Sequence, residues 1–218
     1  MTVPGTFDTS ARELIHAGLQ NLDEARSLFR QLSASGFDAA RCGLLLDALQ
    51  HVCDPDVALR NLVDIVNAQV SQGRALDDIM PDDTAFRQLV AVLGVSDAMG
   101  KLMRFRPDLV QAAATDHCNS HLYNHDQRRA HVLESVGADP NDRMSPTATM
   151  DLADAATALR RTYRNQLAAI IAQDTMSDDP IALQPRISSE LSDLADAALE
   201  GALAIARHEI AGSEHCRF

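Results

Sequence analysis

The chain has 218 residues, a formal net charge of −12, 4% aromatic residues and no Trp. That length allows one sizeable core or two modest ones, and the Ala- and Leu-rich composition favours helix over strand. The acidity argues against a nucleic-acid grip, which needs clustered Lys and Arg, and no window approaches the roughly 20 apolar residues of a membrane span.

The opening MTVPGTFDTSAREL lacks the basic start and apolar core of a signal peptide, so the cytoplasm is the default location. Cys42, Cys53, Cys118 and Cys216 form no CxxC pair, which suggests neither a zinc site nor a disulfide framework. Cys42 lies in an apolar helical run, where a free thiol acts as a small hydrophobe.

In chain order, Ser10 and Glu13 form a capping box ahead of Leu14 and Ile15. Leu22, Ala25, Leu28, Phe29 and Leu32 then define an amphipathic helix that stops near Gly36. Asp38 caps the next, with Leu44, Leu45, Ala48, Leu49 and Val52 as its buried face. Asp54-Pro55 starts another, in which Leu59, Leu62, Val63, Val66 and Val70 keep the period to Gly73. Shorter helices follow: Asp82 to Gly94, a Ser96-capped segment with Ala98, Met99, Leu102 and Met103, and one opened by Pro107.

From Asp116 to Arg143 the chain turns polar. His117, His121 and His125 are spaced by four, with Cys118 and His131 nearby, and two His four apart can share a zinc ion. The intervening NSHLYNH is poor in helix formers and no HExxH is present, so the segment reads as a polar connection, with no metal site and no catalytic residue assigned.

Residues 137–145, with Gly, Pro, Asn and Asp, read as a linker between a helical array over 1–136 and a long helical hairpin over 146–212. Ser145 and Pro146 are expected to start the first long helix, with Leu152, Ala156, Leu159, Tyr163, Leu167 and Ile170 buried and Arg160, Arg161 and Arg164 forming a basic patch. The second is expected after Pro185. Ile187, Leu191, Leu194, Ala198, Gly201 and Ile205 share one face, and Ala195, Leu199, Ala202, Ala206 and Ile210 run beside them. The predicted buried surface is therefore wide, with only Asp193, Asp196 and Glu200 wet. Residues 213–218 read as the start of a strand. The fold class is all-α, an irregular bundle of about eight to ten helices.

LRRTYRNQLAAIIAQD followed by LSDLADAALEGALAIAR resembles the segment ahead of the nucleotidyltransferase core in the glutamine synthetase adenylyltransferase and adenylyl-removing family. Within it, Gln166 takes a polar position often occupied by Glu, Asp174 an acidic one, and Glu190, Leu191, Ser192, Leu194, Ala195, Asp196 and Leu199 fit an ELS-x-LAD-x-x-L pattern. LGVSDAMGKLMRFRPDL also resembles this family's helical arm, through Leu93, Gly94, Ser96, Pro107 and Leu109. The motif positions Arg160, Arg161, Arg164, Asp174, Asp193 and Asp196 are candidate site residues without an assigned role.

The resemblance implies a parent enzyme that adds AMP from ATP to a tyrosine of glutamine synthetase and removes it with phosphate, using Mg²⁺, under a PII-type signalling protein. The family's Gly-rich G-x-x-E-L loop and its S-D-x-D strand, whose aspartates hold the metal ions, do not occur before Phe218. The implied reading is an inactive N-terminal fragment of the adenylyl-removing half, preceding an absent α/β core, without a cofactor of its own. In that case the end of the last helix beyond Ala202 should not be fully buried at Leu203, Ile205, Ala206 and Ile210. The alternative is a self-contained helical protein-interaction module with the same pattern.

Overall fold

Side-chain caps set the helix starts. Ser10 accepts from the Glu13 amide and Glu13 returns to the Ser10 amide, beginning α1 (Ala11–His16). Asn21 begins α2 (Leu22–Ala34) and Asp38 begins α3 (Ala39–Leu49). Asp54, with Pro55 as the first helical residue, begins α4 (Pro55–Ser71). A short 3₁₀ turn, Leu76–Asp78, leads on to α5 (Asp83–Val95), capped by Asp82, and Ser96 caps α6 (Asp97–Met103). Then come α7 (Pro107–Ala114), α8 (His125–Ser135), α9 (Leu152–Thr175) and α10 (Pro180–Gly212). The computed structural model describes residues 9–78, 81–114, 123–177 and 179–212, and among these the fold is all-α, with ten α-helices and no strand.

The chain divides into two units, Met1–Asp116 with Ile171–Met176, and His117–Ile170 with Ser177–Phe218. In the first, α4 and α5 form the centre: α4 meets α2, α3 and α6, and α5 meets α3, α6 and α7. Phe29, Leu32, Leu45, Leu49, Leu59, Leu62, Ile65, Phe86, Leu89 and Leu93 fill the space between them and are almost fully buried. At roughly 1.5–3 kcal/mol per large apolar side chain, this burial is the main stabilising term. Gly100 lets α6 close on α4, since a Cβ there would lie 2.4 Å from Asn61 Cγ. The buried Asn61 side chain in turn donates to the Leu93 carbonyl at 3.3 Å.

Cys42 lies inside this core, and burial pushes its thiol pKa up. Val70, predicted inside, is 39% exposed in the last turn of α4, while Gly73 takes the left-handed conformation that turns the chain.

In the second unit α8 packs along α10. Residues 125–135 are thus helical, which corrects the reading of this stretch as a polar connection. Asn124 and Gln127 form a capping box, and Val132, Leu133 and Val136 supply an apolar face that short polar words conceal. These residues cluster with Ala138, Ala148, Ala155, Ala204 and Ile205, and a smaller cluster joins Ile170, Ile187 and Leu194.

Two helix starts differ from expectation. α9 begins at Leu152, not at Ser145-Pro146, because residues 137–151 are held by other bonds: Thr149 donates to the Gly137 carbonyl and the Ala148 amide to the Ala204 carbonyl. α10 begins at Pro180 and continues through Pro185. Pro185, the sixth helical residue, lies beyond the first four amides, which have no intrahelical acceptor, so it removes the one bond that would run to the Ile181 carbonyl.

The two long helices bury only part of the predicted faces. In α9, Ile170 is buried and Leu159 and Leu167 pack half-buried against the clusters, as expected, but Leu152 is 52% and Tyr163 37% exposed, whereas Ala155, Gln166 and Ala168 are buried. In α10 the buried line is Ile187, Glu190, Leu194, Ala197, Gly201, Ala204 and Ile205, while Leu191, Ala195, Leu199, Ala202, Leu203, Ala206 and Ile210 are exposed. The wide apolar surface exists, but only one side of it is covered. The remaining expectation for the far end holds in part: Leu203, Ala206 and Ile210 are exposed and Ile205 is buried. The strand start expected at 213–218 lies outside the described residues.

Candidate functional site

Charge placed inside a helical seam is the unusual chemistry of the second unit. Arg128, from the middle of α8, is 1% exposed, a position where a guanidinium survives only if its donors are matched. Its Nη1 donates to Gln166 Oε1 of α9 at 2.7 Å, and its Nη2 donates to Glu190 Oε2 of α10. Glu190 and Gln166 are themselves buried, and Arg186, one turn earlier on α10, approaches the other Glu190 oxygen at 3.8 Å. Three helices thus meet on one buried cation. Arg128 Nε and Gln166 Nε2 have no hydrogen-bond partner among the described residues.

Arg129, the next residue and about 100° round α8, clamps a second glutamate of α10. Its Nε and Nη2 donate to the two Glu200 oxygens, both at 2.6 Å, a fork-to-fork pairing. The same guanidinium reaches the carbonyls of Pro140 at 2.7 Å and Asp142 at 2.8 Å. Asp142 closes the turn by accepting from the Met144 and Ser145 amides, and these bonds hold its carboxyl below the usual range. Farther along, Arg207 of α10 donates to the Pro146 carbonyl at 2.9 Å. The 137–151 segment is therefore tied down along its length by side chains of α8 and α10.

The sequence-derived candidates do not converge on one place. Asp193 is half-buried, 3.1 Å from His125 Nδ1 at the start of α8. Arg160 and Arg161 are exposed on α9, Arg160 reaching Thr157 Oγ1 at 3.4 Å, and Arg164 is half-buried. Asp174 and Asp196 are exposed. His117, Cys118 and His121 lie outside the described residues. Of their predicted neighbours, His131 stacks edge-on against Tyr123 at 5.2 Å and His125 is committed to Asp193. Among the described residues no three His, Cys, Asp or Glu side chains lie together as a metal would require.

Reasoning from sequence missed Arg128, Arg129 and the pairing of Glu200. The available signal was an Arg pair four residues ahead of Val132 and Leu133, which places Arg128 on the same helix face as Val132. Gln166 and Glu190 were named as family-like positions, and the structure gives them a physical role as the two acceptors of Arg128. As an arrangement, the seam offers no paired nucleophile and base. What it can do is fix three helices in register.

No protein-family profile matches the chain, and no solved structure matches it. Curated relatives do. The chain is 65% identical over 97% of its length to the bifunctional glutamine synthetase adenylyltransferase/adenylyl-removing enzyme of Bifidobacterium longum, strain DJO10A, and covers 20% of that relative. The proteins of the same name from Leifsonia xyli and Cutibacterium acnes are 31% and 28% identical over 94% and 89% of the chain, each covered over 19% of its length. Nearly the whole chain thus corresponds in sequence to one stretch, about a fifth in length, of the bifunctional glutamine synthetase adenylyltransferase/adenylyl-removing enzymes.

Proposed function

We propose that this chain is a helical section of an enzyme that reversibly adenylylates glutamine synthetase, and that it acts there as scaffold, not as catalyst. The observation that carries this is the 65% identity over 97% of the chain to an enzyme of that name, of which the chain spans a fifth. In this reading the parent adds AMP from ATP to a tyrosine of glutamine synthetase and removes it by phosphorolysis. The section belongs to the adenylyl-removing half, and a PII-type signalling protein regulates the whole in the cytoplasm, as a means of controlling nitrogen assimilation. No described helix is long and apolar enough to cross a membrane.

Among the described residues no three His, Cys, Asp or Glu side chains converge, and no chemical step is assigned to this chain. Its contribution is rigidity: the Arg128 and Arg129 bonds set how α8, α9 and α10 meet, and a scaffold of fixed helices positions a neighbouring active site. A chimaera in which this chain replaces the matching stretch of the Bifidobacterium longum enzyme tests the reading. Adenylyl transfer to glutamine synthetase and its reversal, each within about tenfold of the parent, are expected from the chimaera. The isolated chain should show neither. A folded chimaera without either activity, or an active isolated chain, overturns the reading.

A further inference from the structure

Arginines in this acidic chain commonly have a carboxylate beside them: Arg41 has Asp77, Arg87 has Asp47 and Arg106 has Asp108. The middle of α9 is different. No Asp or Glu occurs from 155 to 173, although the whole chain carries 31. Thr157, Arg160, Arg161 and Arg164 fall within about 100° of one another around the helix. Ala155, Leu159 and Gln166, which pack into the second unit, lie on the opposite side. The arginine face therefore points away from the core of its own unit. Among the described residues neither Arg160 nor Arg164 reaches a carboxylate, and Arg160 bonds to Thr157 Oγ1 at 3.4 Å. Like charges one turn apart oppose the helix that carries them, and nothing on this face compensates them.

Shape and charge decide what can meet this face. An outward helix side lacks the concavity that encloses a small ligand. The net charge of −12 repels an extended polyanion, such as nucleic acid or an anionic membrane, everywhere beyond the patch. A guanidinium fork pairs at two points with a carboxylate, and two forks about 6 Å apart along the axis fit a short run of carboxylates on a protein surface. An enzyme that modifies one tyrosine of a large protein draws binding energy from surfaces remote from that tyrosine. We propose that the Arg160–Arg164 face of α9 is a docking surface for an acidic stretch of glutamine synthetase. This rests on reading the chain as a section of the enzyme that reversibly adenylylates that protein.

The Bifidobacterium longum chimaera, assayed for removal of AMP from adenylylated glutamine synthetase, tests the face. Arg160→Glu with Arg164→Glu should raise the KM for that protein at least about fivefold, keep kcat within about twofold, and flatten the fall of kcat/KM with added salt. Arg160→Lys with Arg164→Lys keeps the charge and should keep the salt dependence. Arg12→Glu with Arg30→Glu makes the same change of net charge at two exposed arginines of the first unit, and should leave the KM within about twofold. An unchanged KM in the first variant, or an equal rise in the Arg12 and Arg30 variant, overturns the proposal. So does a raised KM for phosphate in place of glutamine synthetase, which assigns the face to a small anion, or a lowered melting temperature of the first variant, which assigns it to packing within the enzyme. A folded chimaera with its arginines intact and no activity refutes the functional reading alone. Its binding to glutamine synthetase by biolayer interferometry then decides the docking face: weakening of at least about fivefold by Arg160→Glu with Arg164→Glu supports it, and binding that is absent or indifferent to the substitutions overturns it.

Discussion

Replacing Glu190 by Ala should be among the most damaging single changes in the second unit. The substitution leaves Arg128, 1% exposed, with the Gln166 carbonyl as its remaining described acceptor and no buried counter-charge. Removing one member of a buried ion pair costs about 3–5 kcal/mol, because the other charge stays desolvated. Arg128→Met should cost a similar amount, since Arg186, at 3.8 Å and 52% exposed, is a poor substitute partner for Glu190. With a urea dependence of about 2 kcal/mol per molar, the midpoint should fall by about 1.5–2.5 M.

The double replacement Arg128→Met with Glu190→Leu removes both charges and should recover to within about 1 kcal/mol of the parent. Urea unfolding followed by circular dichroism gives the four corners of the cycle, and the coupling between the sites should be at least about 2 kcal/mol. Single losses below about 1 kcal/mol with no coupling would refute the reasoning, since they would mean that the pair is not desolvated.

Gly201→Ala would place a Cβ 2.7 Å from Val132 Cγ1 and 3.0 Å from Leu159 Cδ1. Overpacking of about 1–3 kcal/mol should outweigh the helix-propensity gain of up to about 1 kcal/mol, and Val132→Ala in the same chain should restore part of the thermal stability. Gln166→Glu removes a buried amide nitrogen that has no described partner and gives Arg128 a second carboxylate. Two buried carboxylates on one buried cation leave a charge unmatched, so its urea midpoint at neutral pH should fall by the equivalent of about 1–3 kcal/mol.

For Asp142 the Ser145 and Met144 amides lower the folded pKa, so its stabilisation is full above the unfolded value of about 3.9 and is lost as pH falls through the lower folded one. Protection of the Met144 and Ser145 amides relative to their intrinsic exchange rates should fall in that acid window, and Asp142→Ala should lack that protection at every pH.

Helix starts in the first unit were legible because their chemistry is local. Ser10 with Glu13, Asp38, Asp54 with Pro55, and Ser96 each act within three residues of themselves. The second unit was harder to read because its decisive contacts are not local. A buried Arg128 lowers the apparent amphipathicity of α8, since its face is centred on a charge. The α10 faces were assigned by counting apolar residues, and a helix apolar on two sides gives no periodic reason to choose one. The choice was made by Glu190, which points inward to Arg128, and by Gly201, which admits Val132. The family-like words were recognisable as words, but the role of Gln166 and Glu190 depended on a partner 38 and 62 residues earlier in the chain.

That separation also sets an order of events while the chain is made. At about 5–20 residues per second, the 62 residues between Arg128 and Glu190 take roughly 3–12 s to add. Through that interval α8 has an arginine where its apolar face should close, and water is the only solvent good enough for it. The first unit's central pair, α4 and α5, can pack long before then, as their partners are neighbours in sequence. α8 has to wait for α10, so release of a nascent chain short of Glu190 would leave a segment whose central side chain has nowhere dry to go.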